Sequence, residues 1–275
     1  MSSTPSRART GVSYHSPAYW DTRFATDPRE AHGFEWLSAS TSLLSLLPPT
    51  LLLRDPPPRI LHIGVGTSAL SLDIVRYLRQ HSPADWRERA KHVVNVDFSL
   101  NSVEFQRRAE WVFLQELGEE EEEEEEGEGE LMGYYVLDLL DWEQVQAVLG
   151  DKSFDVVLDK STTDSISTGE DTPFASIVAS PSTHHPTLLQ LAGHHKGKQA
   201  GVATTQVLGI HLAALVQHGG VWLCHSYSSA RWDDVVPEGD EVWPWNEVGR
   251  TPVAVEASDP SAPQIYHYIY TLHRT

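Results

Sequence analysis

RILHIGVGTSALSLDIVRYLRQ, residues 59–80, starts as a short apolar run and turns into a helix. RILHIG has strand character, whereas Leu70, Ile74, Val75 and Leu78 recur at helical spacing. Gly64 and Gly66 stand between the two. The same alternation continues downstream. HVVNVD (His92 to Asp97) is a second β-branched run, and SLNSVEFQRRAEWVFLQEL is helical again. YYVLDLL (Tyr134 to Leu140) reads as a third strand, DWEQVQAVLG as a helix ended by Gly150, and FDVVLDK (Phe154 to Lys160) as a fourth strand. Strands alternating with helices predict a parallel sheet with helices on both faces.

The C-terminal third adds to that sheet. VATTQVLGIHLAALVQHGG reads as a helix closed by Gly219-Gly220, and VWLCHSYS as a fifth strand. QIYHYIYTLHR alternates strictly, as a half-buried strand does, and PVAVEA (Pro252 to Ala257) is its candidate hairpin partner. Two late strands joined by a turn predict an antiparallel edge. The fold class is therefore α/β: one doubly wound domain, mostly parallel, with an antiparallel C-terminal edge. Upstream, SPAYWDTRF forms a helix capped by Ser16 with Pro17 in its first turn. Glu35 to Leu47 reads as a buried helix stopped by Pro48-Pro49. Residues 1–14 read as a disordered tail, leaving a domain over 15–275 with an acidic loop at 118–130 and a polar, His-rich insertion at about 169–200.

Composition narrows the function. The chain has 275 residues, with 20 Lys+Arg against 39 Asp+Glu and a net charge of −19. Ten of those acids are Glu119 to Glu126, Glu128 and Glu130, so the remainder is only moderately acidic. An acidic chain lacks the basic face that grips nucleic acid or anionic membrane, and neither is expected as a partner. The single cysteine, Cys224, excludes an intrachain disulfide and multi-cysteine metal sites, which suits a cytoplasmic protein. The uncharged stretch from Trp36 to Leu53 contains Pro48-Pro49 and many hydroxyls, so it makes a poor membrane span. His184, His185, His194 and His195 match no zinc-ligand spacing and read as a solvated loop. No metal is expected. Ser161 to Thr168 lies in no GxSxG turn, which argues against a hydrolase. Trp232, Trp243 and Trp245 suit either a substrate-side wall or a cover over the sheet edge.

In an open α/β sheet, ligands bind at the carboxyl ends of the strands. The first strand ends in Gly64 and Gly66, which admit a ligand close to the backbone. The second ends in Asp97, whose carboxylate can accept both hydroxyls of a ribose. Asp138 ends the third, and Asp159 and Lys160 the fourth. Each has an ordinary reading as well: GxG as a tight turn, Asp as a helix cap. Their order along the chain favours a nucleoside-containing cofactor, either a dinucleotide or S-adenosylmethionine. Gly64-x-Gly66-x-x-Ala69 satisfies a relaxed dinucleotide fingerprint, but Asp97 lies further on than the usual spacing of about 20 residues. No second domain is left to hold a hydride acceptor. The antiparallel edge favours S-adenosylmethionine.

The segments YWDTRF, FEWL, ILHIGVGTSALS, VVNVDFS and FDVVLDKSTTDSI resemble the class I S-adenosylmethionine-dependent methyltransferases. They are most similar to the eukaryotic lysine methyltransferases of translation elongation factor 1A, with their pattern YWDxRY, LGCGNSxLS, VDxS and FDxVxDKGTLDA. The likeness runs from about Tyr19 to Leu272. It implies a seven-stranded, Rossmann-like sheet, S-adenosylmethionine as methyl donor, and a protein substrate, with elongation factor 1A the candidate. By motif, Trp20, Arg23, Phe24 and Trp36 would fold over the cofactor. Gly64 and Gly66 would pass beneath its methionine moiety, Asp97 would hold the ribose with Phe98 beside it, Asp138 and Leu139 would contact the adenine, and Lys160 would line the site. No catalytic base is implied. Trp20 and Trp36 have core packing as their alternative, and Arg23 an ion pair within the chain. The chain departs from the pattern at Val65, Thr67, Phe24, Ser161, Thr163 and Ser165. These departures thicken toward the acceptor side, leaving open a small-molecule acceptor, or a non-catalytic scaffold whose acidic tract recruits a basic partner. The Asn/Asp-Pro-Pro-aromatic motif of enzymes that methylate planar nitrogens is missing after the fourth strand.

Overall fold

The β-branched runs form the parallel core of one sheet in the computed structural model, which describes residues 12–118, 130–150, 153–194, 201–233, 243–256 and 261–275. The parallel strands are β1 (Ile60–Ile63), β2 (Val93–Asp97), β3 (Gly133–Val136), β4 (Phe154–Lys160) and, after a small two-stranded ladder of β5 (Thr172–Pro173) and β6 (Gly201–Val202), β7 (Val216–Ser226). β8 (Trp245–Ala254) and β9 (Tyr266–Arg274) form the predicted hairpin, and β9 runs antiparallel to β7. The order β3-β2-β1-β4-β7-β9-β8 gives seven strands, mostly parallel with an antiparallel edge, the Rossmann-like methyltransferase arrangement. It reverses direction between β1 and β4, which opens a crevice at their carboxyl ends.

Helices cover both faces. On one lie α1 (Pro17–Thr26), the short turns α2 (Thr41–Leu44) and α3 (Pro49–Leu52), α4 (Leu70–His81), α5 (Trp86–Ala90) and α6 (Leu100–Glu116). Leu43, Leu52, Ile74, Val75, Val103 and Phe113 pack there on Ile60, Val156 and Leu223. The other face carries α7 (Trp142–Leu149), α8 (Thr162–Ile166) after β4, α9 (Phe174–Ala179), α10 (Pro186–His194) and α11 (Thr204–Leu215). Val145, Leu149, Leu208 and Leu212 close its core over Leu61, Val157 and Trp222. Among the described residues no helix is long and apolar enough to cross a membrane.

Six local expectations are corrected. Glu35 to Leu47 is no continuous helix: Leu37 takes a positive φ of 66°, and helix begins only at Thr41. Ser38, Ser40, Thr41 and Ser42 explain this, because short hydroxyls compete with the helical ladder. The third strand stops at Val136, before Asp138. The late helix stops at Leu215, and Gly219-Gly220 falls inside β7 at a register shift, with Gly219 at φ 77°. The described part of the His-rich insertion is largely helical, with a satellite core of Ile177, Leu188, Val202, Val207 and Ile210; His195 lies outside the described residues. Tyr14, assigned to the tail, packs on Tyr19 at 5.3 Å, while residues 1–11 are not described. Trp232 and Trp245 are core residues, meeting Trp222 at 4.9 Å and 5.3 Å, and Trp243 packs against the same core. Most of the acidic loop, residues 119–129, also lies outside the described residues.

Where the chain re-enters the sheet after that loop, Glu110 of α6 fixes it. Its carboxylate accepts from Leu131 N (2.7 Å), Met132 N (3.1 Å) and Tyr134 Oη (3.0 Å), and burial pushes its pKa up to about 7. A carboxyl raised on folding stabilises below its unfolded pKa and loses that contribution as pH rises through the folded one. The stability advantage of wild type over Glu110→Gln is therefore expected to shrink between pH 5 and 8 in urea unfolding. An advantage constant across that range would show that Glu110 titrates normally.

Candidate functional site

The crevice between β1 and β4 is walled by two strand-to-helix turns. Gly64 and Gly66 leave β1 at φ 58° and 49°, a region that costs an L side chain about 1–2 kcal/mol. At Gly64 a Cβ would also overlap Thr162 of the opposite turn. Thr162 is held there because its hydroxyl donates to Ile63 O at 2.9 Å. Asp159 caps the opposite turn by accepting from Thr162 N (3.0 Å), Thr163 N (3.3 Å) and the Thr163 hydroxyl, so at this position the cap reading holds. Burial raises its pKa to about 6.

Asp97 ends β2 and is 5% exposed. Oδ2 accepts from Gly66 N at 3.0 Å and Oδ1 from Ser99 N at 2.9 Å. Burial pushes its pKa up to about 6 against those hydrogen bonds. Lys160 points inward, ion-paired with Glu35, and burial brings its pKa down to about 8. Glu35 also accepts from Ala69 N at 2.6 Å, so one carboxylate ties the N-terminal segment to both turns.

Aromatic side chains roof the crevice. Trp20 stacks on Phe24 at 5.5 Å and meets Trp36 at 5.7 Å. Its indole N–H donates to Tyr14 O and to Ser165 Oγ. The cavity of about 360 Å³ is lined by Trp20, Phe24, Trp36, Gly64, Gly66, Asp97, Phe98 and Lys160, which brings eight of the expected residues together. Three stand apart. Arg23 is committed to Glu30 at 2.6 Å and lies 4.8 Å from the Trp36 ring centre, behind the aromatic wall. Asp138 closes a turn of its own, accepting from Leu140 N at 2.8 Å. Leu139 is buried in the core, and its carbonyl accepts from His211 Nδ1 at 2.9 Å.

The cavity also contains residues that motif and spacing passed over: Tyr14, Leu37, Thr162, Asp164, Thr168 and Tyr227. Tyr227 lies at the end of the fifth predicted strand and directly follows β7, a signal available in the sequence. Tyr14 and Leu37 carried none, since their placement depends on tertiary contacts. The departures have local explanations. The Thr67 hydroxyl donates to Glu30 Oε2 at 2.5 Å and accepts from Phe34 N at 3.0 Å, which fastens the covering segment. Ser161 takes φ 68°, the conformation in which a glycine is least strained. Among the described residues no group of His, Cys, Asp and Glu converges on a metal position.

No family model matches the chain, and comparison with curated proteins finds no match. Solved structures do match. One, solved for the conversion of a disulfide bond into a thioacetal group during echinomycin biosynthesis, is 13% identical, with a TM-score of 0.50 over 94% of this chain and 93% of that one. The N-methyltransferase NodS from Bradyrhizobium japonicum, in complex with S-adenosyl-L-homocysteine, is 13% identical, with a TM-score of 0.43 over 96% and 99%. The 1,6-didemethyltoxoflavin-N1-methyltransferase of Burkholderia thailandensis is 15% identical, with a TM-score of 0.42 over 98% and 94%. At 13% identity the first likeness shows a shared fold, and the two lower-scoring ones add nothing to it.

Two substitutions separate strain from function at the paired turns. Gly64→Ala is expected to destabilise by on the order of 1–3 kcal/mol, because the strained φ and the overlap with Thr162 act together. Ser161→Gly relieves strain and is expected to stabilise by up to about 1 kcal/mol. Chemical denaturation of both variants checks the signs. A neutral Gly64→Ala would mean that the two turns do not touch in solution.

Proposed function

We propose that the chain is an S-adenosylmethionine-dependent methyltransferase that modifies a lysine of a protein. The observation that carries this reading is the cavity at the carboxyl ends of β1, β2 and β4, where two left-handed glycines, a buried carboxylate and an aromatic roof meet. Its volume of about 360 Å³ suits a small cofactor. The donor set suits this one: Asp97 offers oxygen acceptors for a ribose, and Trp20, Phe24, Trp36 and Phe98 offer faces to an adenine or a sulfonium. The segments that resemble the class I methyltransferases supply most of these residues, and the fold agrees.

When bound, S-adenosylmethionine supplies a methyl group on a cationic sulfur, open to in-line attack. The chain's own tasks are to hold, orient and dehydrate. Asp97 accepts through both oxygens only when ionised. Trp20 and Trp36 close the crevice above the glycines and exclude water. A lysine must enter neutral, and an apolar cleft favours its uncharged form. Lys160 stays with Glu35, so its ammonium is neutralised where a second cation, the sulfonium, would stand nearby. The protein needs no nucleophile of its own, because the acceptor nitrogen is the nucleophile. Elongation factor 1A enters through the motif resemblance, and an acidic enzyme would steer a basic acceptor toward itself. A cytoplasmic setting belongs to the same reading.

Labelled methyl transfer from S-adenosylmethionine into a cell extract tests the proposal, with Asp97→Ala as control. Label recovered as methyllysine with wild type and lost with the variant is the expected result. Equal label with both proteins, or none with either despite cofactor binding, would defeat it. Affinity for S-adenosylhomocysteine is further expected to fall as pH drops through about 6, where Asp97 takes up its proton. Calorimetry between pH 5 and 8 reads that directly.

A further inference from the structure

Strand order divides the cavity in two. Gly64, Gly66, Asp97 and Phe98 follow β1 and β2, whereas Ser161, Asp164, Ser165 and Tyr227 follow β4 and β7. On the activity proposed above, on which this inference rests, the first half takes the donor and the second is left for the acceptor.

Tyr227 stands out in that second half. It is 55% exposed, yet it is anchored from beneath by buried groups. Its backbone N–H donates to Asp164 Oδ2 at 3.0 Å. Asp164 is buried and also receives Arg231 Nη2 at 2.6 Å and the Ser226 hydroxyl. Arg231 in turn lies 5.5 Å from the Tyr227 ring centre, with its guanidinium over the ring. Both Asp164 oxygens are thus occupied, so this carboxylate is no counter-ion for an incoming ligand. A desolvated ion pair contributes little net stability, but it fixes what is attached to it. What is attached here is a half-exposed phenol at a cavity.

We infer that Tyr227 seats the acceptor nitrogen. Its ring, backed by Arg231, forms the wall along which an unbranched alkylamine enters, and its phenol oxygen offers a lone pair to one N–H of the neutral amine. That contact turns the nitrogen lone pair toward the donor half of the cavity. Asp164 and Arg231 are positioning residues, acting through Tyr227. An acceptor nitrogen without a hydrogen would gain nothing from the phenol, so the site selects primary and secondary amines.

Initial rates of labelled methyl transfer against extract concentration, for wild type, Tyr227→Phe, Tyr227→Ala, Arg231→Lys and Arg231→Ala, test this. S-adenosylhomocysteine affinity is measured by calorimetry on the same proteins. Loss of the phenol alone is expected to lower kcat about tenfold with apparent KM unchanged. Loss of the ring is expected to lower kcat further and to raise KM, and Arg231→Lys should retain more activity than Arg231→Ala. Cofactor affinity should stay within about twofold throughout. Tyr227→Phe at the wild-type rate would overturn the assignment while leaving the proposed activity standing. A loss of cofactor affinity parallel to the loss of rate would overturn it too, by showing a general structural role. Wild type that binds S-adenosylhomocysteine but transfers no label would defeat the activity and this assignment together.

Discussion

The contact between Gly64 and Thr162 is the constraint on which the rest of the site depends. β1 and β4 are neighbours, with Ile63 paired to Asp159, so the turns that follow them leave the sheet side by side. They fit only because Gly64 has no side chain and because the Thr162 hydroxyl finds the carbonyl of Ile63. Asp159, buried beneath, takes both N–H groups that open α8. With the turns locked, Ser161 is forced into a left-handed conformation and Lys160 faces inward. A buried ammonium needs a partner. Glu35 provides it, which brings the N-terminal segment across the crevice.

That segment is held by polar contacts more than by its own secondary structure. Glu30 receives Arg23 and Thr67, Phe34 N–H donates to Thr67, and Glu35 receives Ala69 N and Lys160. Apart from the Arg23–Glu30 pair, each tie ends on the residues just after Gly66 or on Lys160, so the roof is fastened to the same two turns that it covers. Arg23 illustrates the economy of this arrangement. Its guanidinium lies within 6 Å of the ring centres of Trp20, Phe34 and Trp36 while its charge is met by Glu30. It orders the aromatic wall from behind and takes no place in the cavity.

The parallel core was legible in the sequence because β1, β2 and β4 are buried on both faces and read as apolar runs. Gly64, Gly66 and Asp97 were legible because they stand where those runs end. The roof was not. Leu43, Leu46 and Leu47 mimic helical spacing after Glu35, and nothing local announces that Glu35 is claimed by Lys160, which lies far along the chain. The same limit hid Tyr14, and it hid Glu30 as the carboxylate that takes Arg23. Asp138 and Leu139 were assigned by position in a motif, but the strand ends two residues early and a local turn takes the aspartate. In the insertion, Ile177, Leu188 and Val202 are too widely spaced among polar residues to reveal a core that forms only when β5 and β6 pair.

The two halves of the cavity are built by different physical means. The β1–β2 half relies on backbone conformation and one buried carboxylate, devices that suit a ligand whose shape does not vary. The β4–β7 half relies on side chains: the hydroxyls of Ser161, Thr162, Ser165 and Thr168, and a tyrosine held by a buried ion pair. Three of the six departures from the resembled motif follow β4, at Ser161, Thr163 and Ser165. A side-chain wall can be altered one residue at a time without disturbing the locked turns beneath it. The Asp164–Arg231 pair gives such a wall rigidity that a half-exposed ring would otherwise lack. Under the proposed activity, choice of acceptor is therefore a property of the surface after β4 and β7, whereas donor binding is a property of the fold.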